Sequence, residues 1–405
     1  MNTTETRIYI NELSEAASEY LSKREEVYTK EPRYFTRVEA TDYLGVNAKT
    51  VDKYVNQLGI DPKRFDDAAW LVSIDEIYRV RDKLREEKLI HDSKFVRGNR
   101  KLMVLAVQNQ KGGVGKTVSA TTIASGLATE FHDEFRVGLI DLDPQRTATS
   151  YYPPSEYNEE GNMVPCPDYW SAGDLLKGNY ELEEGESYEQ FVSDCFLSTT
   201  IPNLRILPAS QSDRGVEAEF HSKLAKGTLK KPYMILQDII NAVEDEFDII
   251  IIDTPPSMTF ATINAYTAAT SVLFPMQLDQ NDIDATCGYL QFLDEVWTIC
   301  EDNNHPGYDF MKILYTNVKA QSNASTLLDN EFSKYFSNYI SSTQFNNSEA
   351  IKECSRLLST VFDISKSEYS GKTKAPFQHA KTNAFTVVSG VYKEFNAIWT
   401  KGSGK

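Results

Sequence analysis

The run Met103-Val104-Leu105-Ala106-Val107-Gln108-Asn109-Gln110-Lys111-Gly112-Gly113-Val114-Gly115-Lys116-Thr117 joins five apolar residues directly to a glycine-rich turn. An unbroken apolar run of this length is a strand buried on both faces. Behind the turn, Val118 to Phe131 is apolar at helical spacing. A strand, Gly112-x-x-Gly115-Lys116-Thr117 and a helix in that order make a phosphate-binding loop. The glycines let backbone amides curl around phosphate oxygens, and the helix start adds its dipole. Lys116 then reaches the outer phosphates and Thr117 offers a hydroxyl to magnesium. The strict pattern has glycine at the place of Gln110. Here a second lysine, Lys111, stands beside that place instead.

Working outward, four more apolar runs read as strands: Val137 to Ile140, Asp248 to Ile252, Ser271 to Pro275 and Met311 to Tyr315. Apolar strands alternating with helices predict an α/β domain with a mostly parallel, doubly wound sheet. Two of these runs end in acid, as Asp141-Leu142-Asp143-Pro144-Gln145 and Asp253-Thr254-Pro255-Pro256. Ligands of such sheets sit at the carboxyl ends of strands, so both motifs point at the loop. Thr117, Asp141 and Asp253 are the expected magnesium set, and Asp143, just before the turn at Pro144, the residue to orient an attacking water. The acidic stretch 151–196, rich in Tyr, Pro and Gly, reads as a loop with short helices and is given no chemistry.

At 405 residues the chain has room for several domains, and three are expected: 1–32, 33–100 and 101–405. No apolar run approaches the ~20 residues needed to span a bilayer, and the opening residues lack the order of a secretory signal. Both point to a soluble cytoplasmic protein. Five scattered cysteines without a C-x-x-C pair argue against a disulfide framework or a zinc or iron-sulfur site. The net charge of -17 divides unevenly, at -3 for residues 1–32, +3 for 33–101 and -17 for the rest. Only the middle segment is basic, as a nucleic-acid contact requires.

That segment reads as a helix-turn-helix. Thr36 can cap a first helix, Gly45 supplies the turn and Asn47 can cap a second. Val38, Ala40, Tyr43, Leu44, Val46, Val51 and Val55 are expected inside, leaving Lys49, Thr50, Lys53, Tyr54 and Asn56 for a DNA groove. A short strand near Trp70 to Val72 and a basic helix from Ile74 to Leu89 follow. Ahead of the segment, Glu5 to about Thr29 reads as one amphipathic helix ending before Pro32, placed on its own chain or on a second copy. The other reading of the middle segment is a small helical domain that binds protein.

The loop Lys111 to Thr117, with Asp141-Leu142-Asp143-Pro144-Gln145 and Asp253-Thr254-Pro255-Pro256, resembles the ParA family of DNA-partition ATPases. These belong to the larger group that also holds the MinD ATPases. A helix and a helix-turn-helix ahead of the core are similar to the longer members, which also repress their own operon. The resemblance implies ATP/ADP and Mg2+ as cofactors, bound by Lys111, Gly112, Gly113, Val114, Gly115, Lys116, Thr117 and Val118, with Asn317 as an adenine contact. It implies that Lys111 crosses to the nucleotide of a partner in a homodimer, that Asp143 positions water and that Asp253 is the Walker B carboxylate. It also implies weak hydrolysis alone, a stimulating ParB-type centromere-binding protein, a nucleoid-associated location and sequence-independent DNA binding through C-terminal cations. Lys372, Lys374 and Lys381 are the candidates, with Lys352, Arg356 and Lys366 nearby.

A rival reading is a MinD-like membrane-cycling regulator. The last helix carries Phe385, Val388, Val391, Phe395, Ile398 and Trp399 on one face but few terminal cations, so that face is expected to dock on the core and no membrane contact is expected.

Overall fold

The computed structural model describes residues 3–27, 30–62, 70–158, 163–319, 323–371 and 373–402. It divides into two compact units, 1–32 and 33–405. The first contains one helix, α1 (Thr3–Val27), with Ile8, Tyr9, Ile10, Leu13 and Tyr20 exposed.

In the second unit, β1 (Tyr34–Thr36) pairs antiparallel with β2 (Leu71–Ser73). Each strand runs straight into a helix, β1 into α2 (Arg37–Leu44) and β2 into α4 (Ile74–Glu86), with α3 (Ala48–Gln57) between them. The caps are those the sequence predicts. Thr36 forms a capping box with Glu39, Gly45 ends α2 at φ +66°, and the Asn47 side chain accepts from the Thr50 amide. Only a residue at ease in the left-handed region can make the Gly45 turn.

Two side chains of this segment are exchanged relative to expectation. Val38 is 70% exposed, and Tyr54 is fully buried. Val51, Tyr54, Val55 and Leu58 follow the i, i+3, i+4, i+7 spacing of one helix face, so burying the valines carries the Tyr54 ring inward with them. The Tyr54 hydroxyl then bonds Glu87 rather than facing a groove.

The main sheet has nine strands in the order β11-β10-β3-β9-β4-β8-β7-β5-β6. In chain order these are β3 (Met103–Val107), β4 (Val137–Asp141), β5 (Ser155–Tyr157), β6 (Met163–Pro165), β7 (Leu197–Ser198), β8 (Leu204–Leu207), β9 (Ile249–Asp253), β10 (Ser271–Gln277) and β11 (Phe310–Thr316). The six strands from β11 to β8 are parallel, and the last three are short and antiparallel. Side chains alternate between faces. Met103, Leu105 and Val107 pack under α5 (Lys116–Thr129) and the helix Ala375–Gly402, while Val104, Ile250 and Ile252 pack against the helices Ile235–Ala242 and Phe260–Ala268. The apolar face of the last helix docks on this core, with Phe395 and Trp399 buried and the Trp399 indole donating to the Lys101 carbonyl. No helix among the described residues is long and apolar enough to cross a membrane.

The segment 33–97 has its own apolar core yet is fastened to the C-terminal end of α5. The Tyr43 and Tyr78 hydroxyls donate to the carbonyls of Thr129 (2.5 Å) and Ala128 (2.9 Å), which a helix end leaves without intrahelical donors. Just beyond, Glu130 receives Arg33 at 3.0 Å, and Glu134 receives Arg81 at 3.4 Å, Arg85 at 2.7 Å and Lys94 at 3.3 Å. Much of the basic charge of α4 is therefore spent inside the molecule.

Candidate active site

The carboxyl ends of β3, β9 and β4 lie side by side, with Val107 level with Asp253 and Asp253 level with Asp141. The chain leaves β3 through Gln108 and Asn109, both fully buried, and enters α5 over the glycine turn. Gly113 (φ +78°) and Gly115 (φ +87°) take left-handed conformations that bring the loop round to the helix start. Three side chains brace it. Thr316 donates to the Val114 carbonyl at 2.7 Å, Gln277 to the Gly113 carbonyl at 2.9 Å, and the Lys111 amide donates to Asn109 Oδ1 at 3.1 Å.

The two lysines differ in setting. Lys116 is buried, and its ammonium donates to the Lys111 carbonyl at 3.2 Å. Burial lowers its pKa, while Asp253 and Asp143 pull in the opposite direction. Lys111 stands at the rim with its side chain 40% exposed, 3.5 Å from Asp282 Oδ1.

The three aspartates have separate surroundings. Asp141 is buried and fully engaged: Oδ1 accepts the Asp143 amide at 3.0 Å, and Oδ2 accepts the Thr149 amide and hydroxyl, both at 2.8 Å. Burial pushes its carboxyl up to about 6, against those hydrogen bonds. Both of its oxygens are thus engaged by the 143–149 turn, beside the end of the strand that carries Asp253. Asp143 is half-buried and closes its turn by accepting the Gln145 amide at 2.9 Å. Asp253 is fully buried, and the Thr117 hydroxyl lies near it without the distance and angle of a full hydrogen bond to either oxygen. Burial, with the Asp141 and Asp143 carboxylates beside it, raises its pKa well above the usual range, while the Thr117 hydroxyl and Lys116 favour the anion.

A buried carboxylate with both oxygens unsatisfied fits a cation, which would supply what the protein withholds. No cluster of three His, Cys, Asp or Glu among the described residues could hold a metal alone.

Sequence reasoning missed Thr149, whose hydroxyl donates to Asp141 and accepts the Ala209 amide at 2.9 Å, and the relay that places Asn317. Asn317 (φ +53°) donates to Gln277 Oε1 at 3.0 Å and accepts from Asn347, so it is joined to the phosphate loop through Gln277. A cavity of about 210 Å3 opens beside Pro144, between Leu142, Gly173, Asp213, Glu217 and Pro255.

The expected DNA contacts are dispersed. Lys49 and Lys53 are exposed on α3, and Thr50 is half-buried with its hydroxyl against Asn47. Lys372 lies outside the described residues. Lys374 caps the carbonyls of Ser367 and Tyr369. Lys381 is half-buried and pairs with Glu130 at 2.9 Å. Lys352 and Arg356 pair with Glu349 and Glu353, each at 2.7 Å.

What this edge can do is hold a triphosphate with a cation beside it, which defines a P-loop ATPase. A family profile described as AAA domain matches residues 102–306. The chain is 31% identical over 235 residues to the sporulation initiation inhibitor protein Soj of Bacillus subtilis, covering 58% of this chain and 79% of that one. It is 26% identical over 251 residues to the chromosome partitioning protein ParA of Myxococcus xanthus (62% and 77%). It is also 24% identical over 377 residues to a putative replication protein A of Sinorhizobium fredii (91% and 87%). A solved structure described as a partition protein shares the fold over 98% of both chains, with TM-score 0.64 and 18% identity. The chain belongs to the ParA/Soj family of partition ATPases.

Proposed function

We propose that this protein is a DNA-segregation switch: ATP drives it into a homodimer that binds DNA without sequence preference, and hydrolysis, stimulated by a ParB-type partner, releases it. The observation that carries this reading is the unequal setting of the two loop lysines. Lys116 is buried against its own Asp253, whereas Lys111 stands at the rim and is 40% exposed. A cation at the rim serves a neighbouring nucleotide more directly than its own. A charge-assisted contact of this kind would tie dimer stability to the γ-phosphate.

On this reading Lys116 and the loop amides bind the phosphates, Asn317 lies toward the adenine end, and Asp143 orients the attacking water. Thr117, Asp141 and Asp253 would hold magnesium, which when bound neutralises charge on the outer phosphates. Asp141 keeps the Asp143 turn in place. The helix pair α2/α3 would read an operator through Lys49, Thr50 and Lys53, and so repress the protein's own operon. The burial of Phe395 and Trp399 in the core supports this reading over the membrane-cycling alternative, which would use that face of the last helix.

The test is DNA binding measured with ATP, with ADP and without nucleotide, on random duplex and on DNA upstream of the gene. ATP-dependent binding to any duplex, together with a separate preference for the upstream DNA, is expected. Equal affinity for all sequences in all states contradicts both DNA-binding modes.

A further inference from the structure

Lys111 is held at both ends by one helix of its own chain. Its amide donates to Asn109 Oδ1 at 3.1 Å, and the Asn109 side-chain amide donates to the Pro275 carbonyl at 2.9 Å and to Thr286 Oγ1 at 3.0 Å. Asn109 and Thr286 are both fully buried, so the Lys111 backbone is fixed to the helix Gln280–Asp302. Its ammonium lies 3.5 Å from Asp282 Oδ1. Asp282 precedes Thr286 by four residues and so shares its helix face. It sits in the first turn, where the helix dipole favours an anion. Its side chain is only 7% exposed, its amide is capped by Asp279 at 3.0 Å, and the Asp279 carboxylate lies close by. Lys111 is the cation that faces Asp282.

We propose that Asp282 is a positioning residue for Lys111. It holds the lysine on its own subunit, and this ion pair must open before Lys111 reaches the nucleotide of a second copy of the chain. The inference rests on reading Lys111 as a residue that acts across a dimer. A pair with one partner this exposed is worth up to about 1 kcal/mol, or roughly fivefold in an equilibrium. It is weak enough to yield to a γ-phosphate and strong enough to favour the monomer without one. A two-fold dimer opens two such pairs, so their effects add.

The test is the monomer–dimer equilibrium of the full chain, by sedimentation with magnesium and a slowly hydrolysed ATP analogue. Asp282→Asn, which keeps the shape and removes the charge, is expected to tighten the dimer about three- to twentyfold. Asp282→Ser serves as a second variant should the first fold poorly, and is expected to act in the same direction. Asp279→Asn removes an equal charge while leaving both members of the pair and an amide oxygen to cap the helix, and should stay within about twofold of wild type. In a Lys111→Ala background, Asp282→Asn should have no effect, an outcome that a merely structural role would not produce. A dimer no tighter in either Asp282 variant, or tightening that survives Lys111→Ala, overturns the proposal. If Lys111→Ala weakens the dimer while Asp282→Asn does nothing, this inference alone fails. If Lys111→Ala leaves the dimer unchanged, the reading beneath it fails as well.

Discussion

Lys116 and Lys111 are five residues apart and are expected to respond differently to the same substitution. Lys116→Ala should lower ATP affinity by tenfold or more, since a buried charge-assisted contact is worth about 1.5–3 kcal/mol. Lys111→Ala should leave that affinity within about threefold while weakening both hydrolysis and the ATP-dependent dimer. Titration with a fluorescent ATP analogue, beside sedimentation, separates the two, and an equal loss of affinity in both variants would remove the distinction. Thr149→Val deletes a hydroxyl that serves Asp141 and the Ala209 amide together. Two buried groups lose a partner at once, so a loss of about 2–4 kcal/mol in urea unfolding is expected. At this scale the sequence reveals residue types better than partners. The loop and the Asp253 and Asp143 positions could be read from motif spacing alone. Thr149, eight residues past Asp141, has no motif to mark it. Lys381 reads as a free surface cation because its partner Glu130 lies far away along the chain. Tyr54 was legible in its spacing from Val51 and Val55, and its polar tip obscured that signal.

At the scale of elements, caps and apolar runs locate most of the fold. Five strands escape, β1, β5, β6, β7 and β8, and the longest is β8, four residues interrupted by Arg205, whose guanidinium donates to the Phe196 carbonyl at 2.9 Å and pairs with Glu246. The helix α5 poses a different problem. Its Thr121, Ser125 and Thr129 hydroxyls bond back to the carbonyls four residues earlier, at 2.7, 2.9 and 2.7 Å, a habit that weakens and bends helices. Gly126 looks like a further weakness that alanine would repair by up to about 1 kcal/mol. A Cβ there, however, would lie 2.8 Å from the side chains of Phe362 and Val388, both fully buried. Overpacking of this kind costs about 1–3 kcal/mol, so Gly126→Ala should lower rather than raise the melting temperature. A rise would show that the last helix can move aside.

For the whole molecule, the junction of residues 33–97 with the ATPase core predicts a pH response. Burial, with Arg33 beside it, lowers the Lys381 pKa to about 8, against the pull of Glu130. Between that value and the ordinary lysine range the unfolded chain binds more protons than the folded one, so stability contributed by this group rises with pH from about 8 to about 10.5. Below pH 8 the charged form stays in both states and the cost of burying it is constant. Lys381→Met should remove this part of the slope, on the order of 2 kcal/mol across the interval, in urea unfolding of variant against wild type. Parallel curves would mean that the ammonium reaches water.

The grip of Tyr43, Tyr78, Arg81 and Arg85 on the end of α5 also bears on how such a protein can change over generations. A shortened gene lacking residues 33–97 would leave the last carbonyls of the nucleotide helix and the acid of Glu134 without these donors. A replacement module acquired by recombination would have to bring equivalent tyrosines and arginines or cost the ATPase its stability. Lys49 and Lys53 on α3 are exposed and are not among the residues that grip the end of α5, so if α3 contacts DNA as proposed, new specificity is expected to arise there residue by residue rather than by exchange of whole domains.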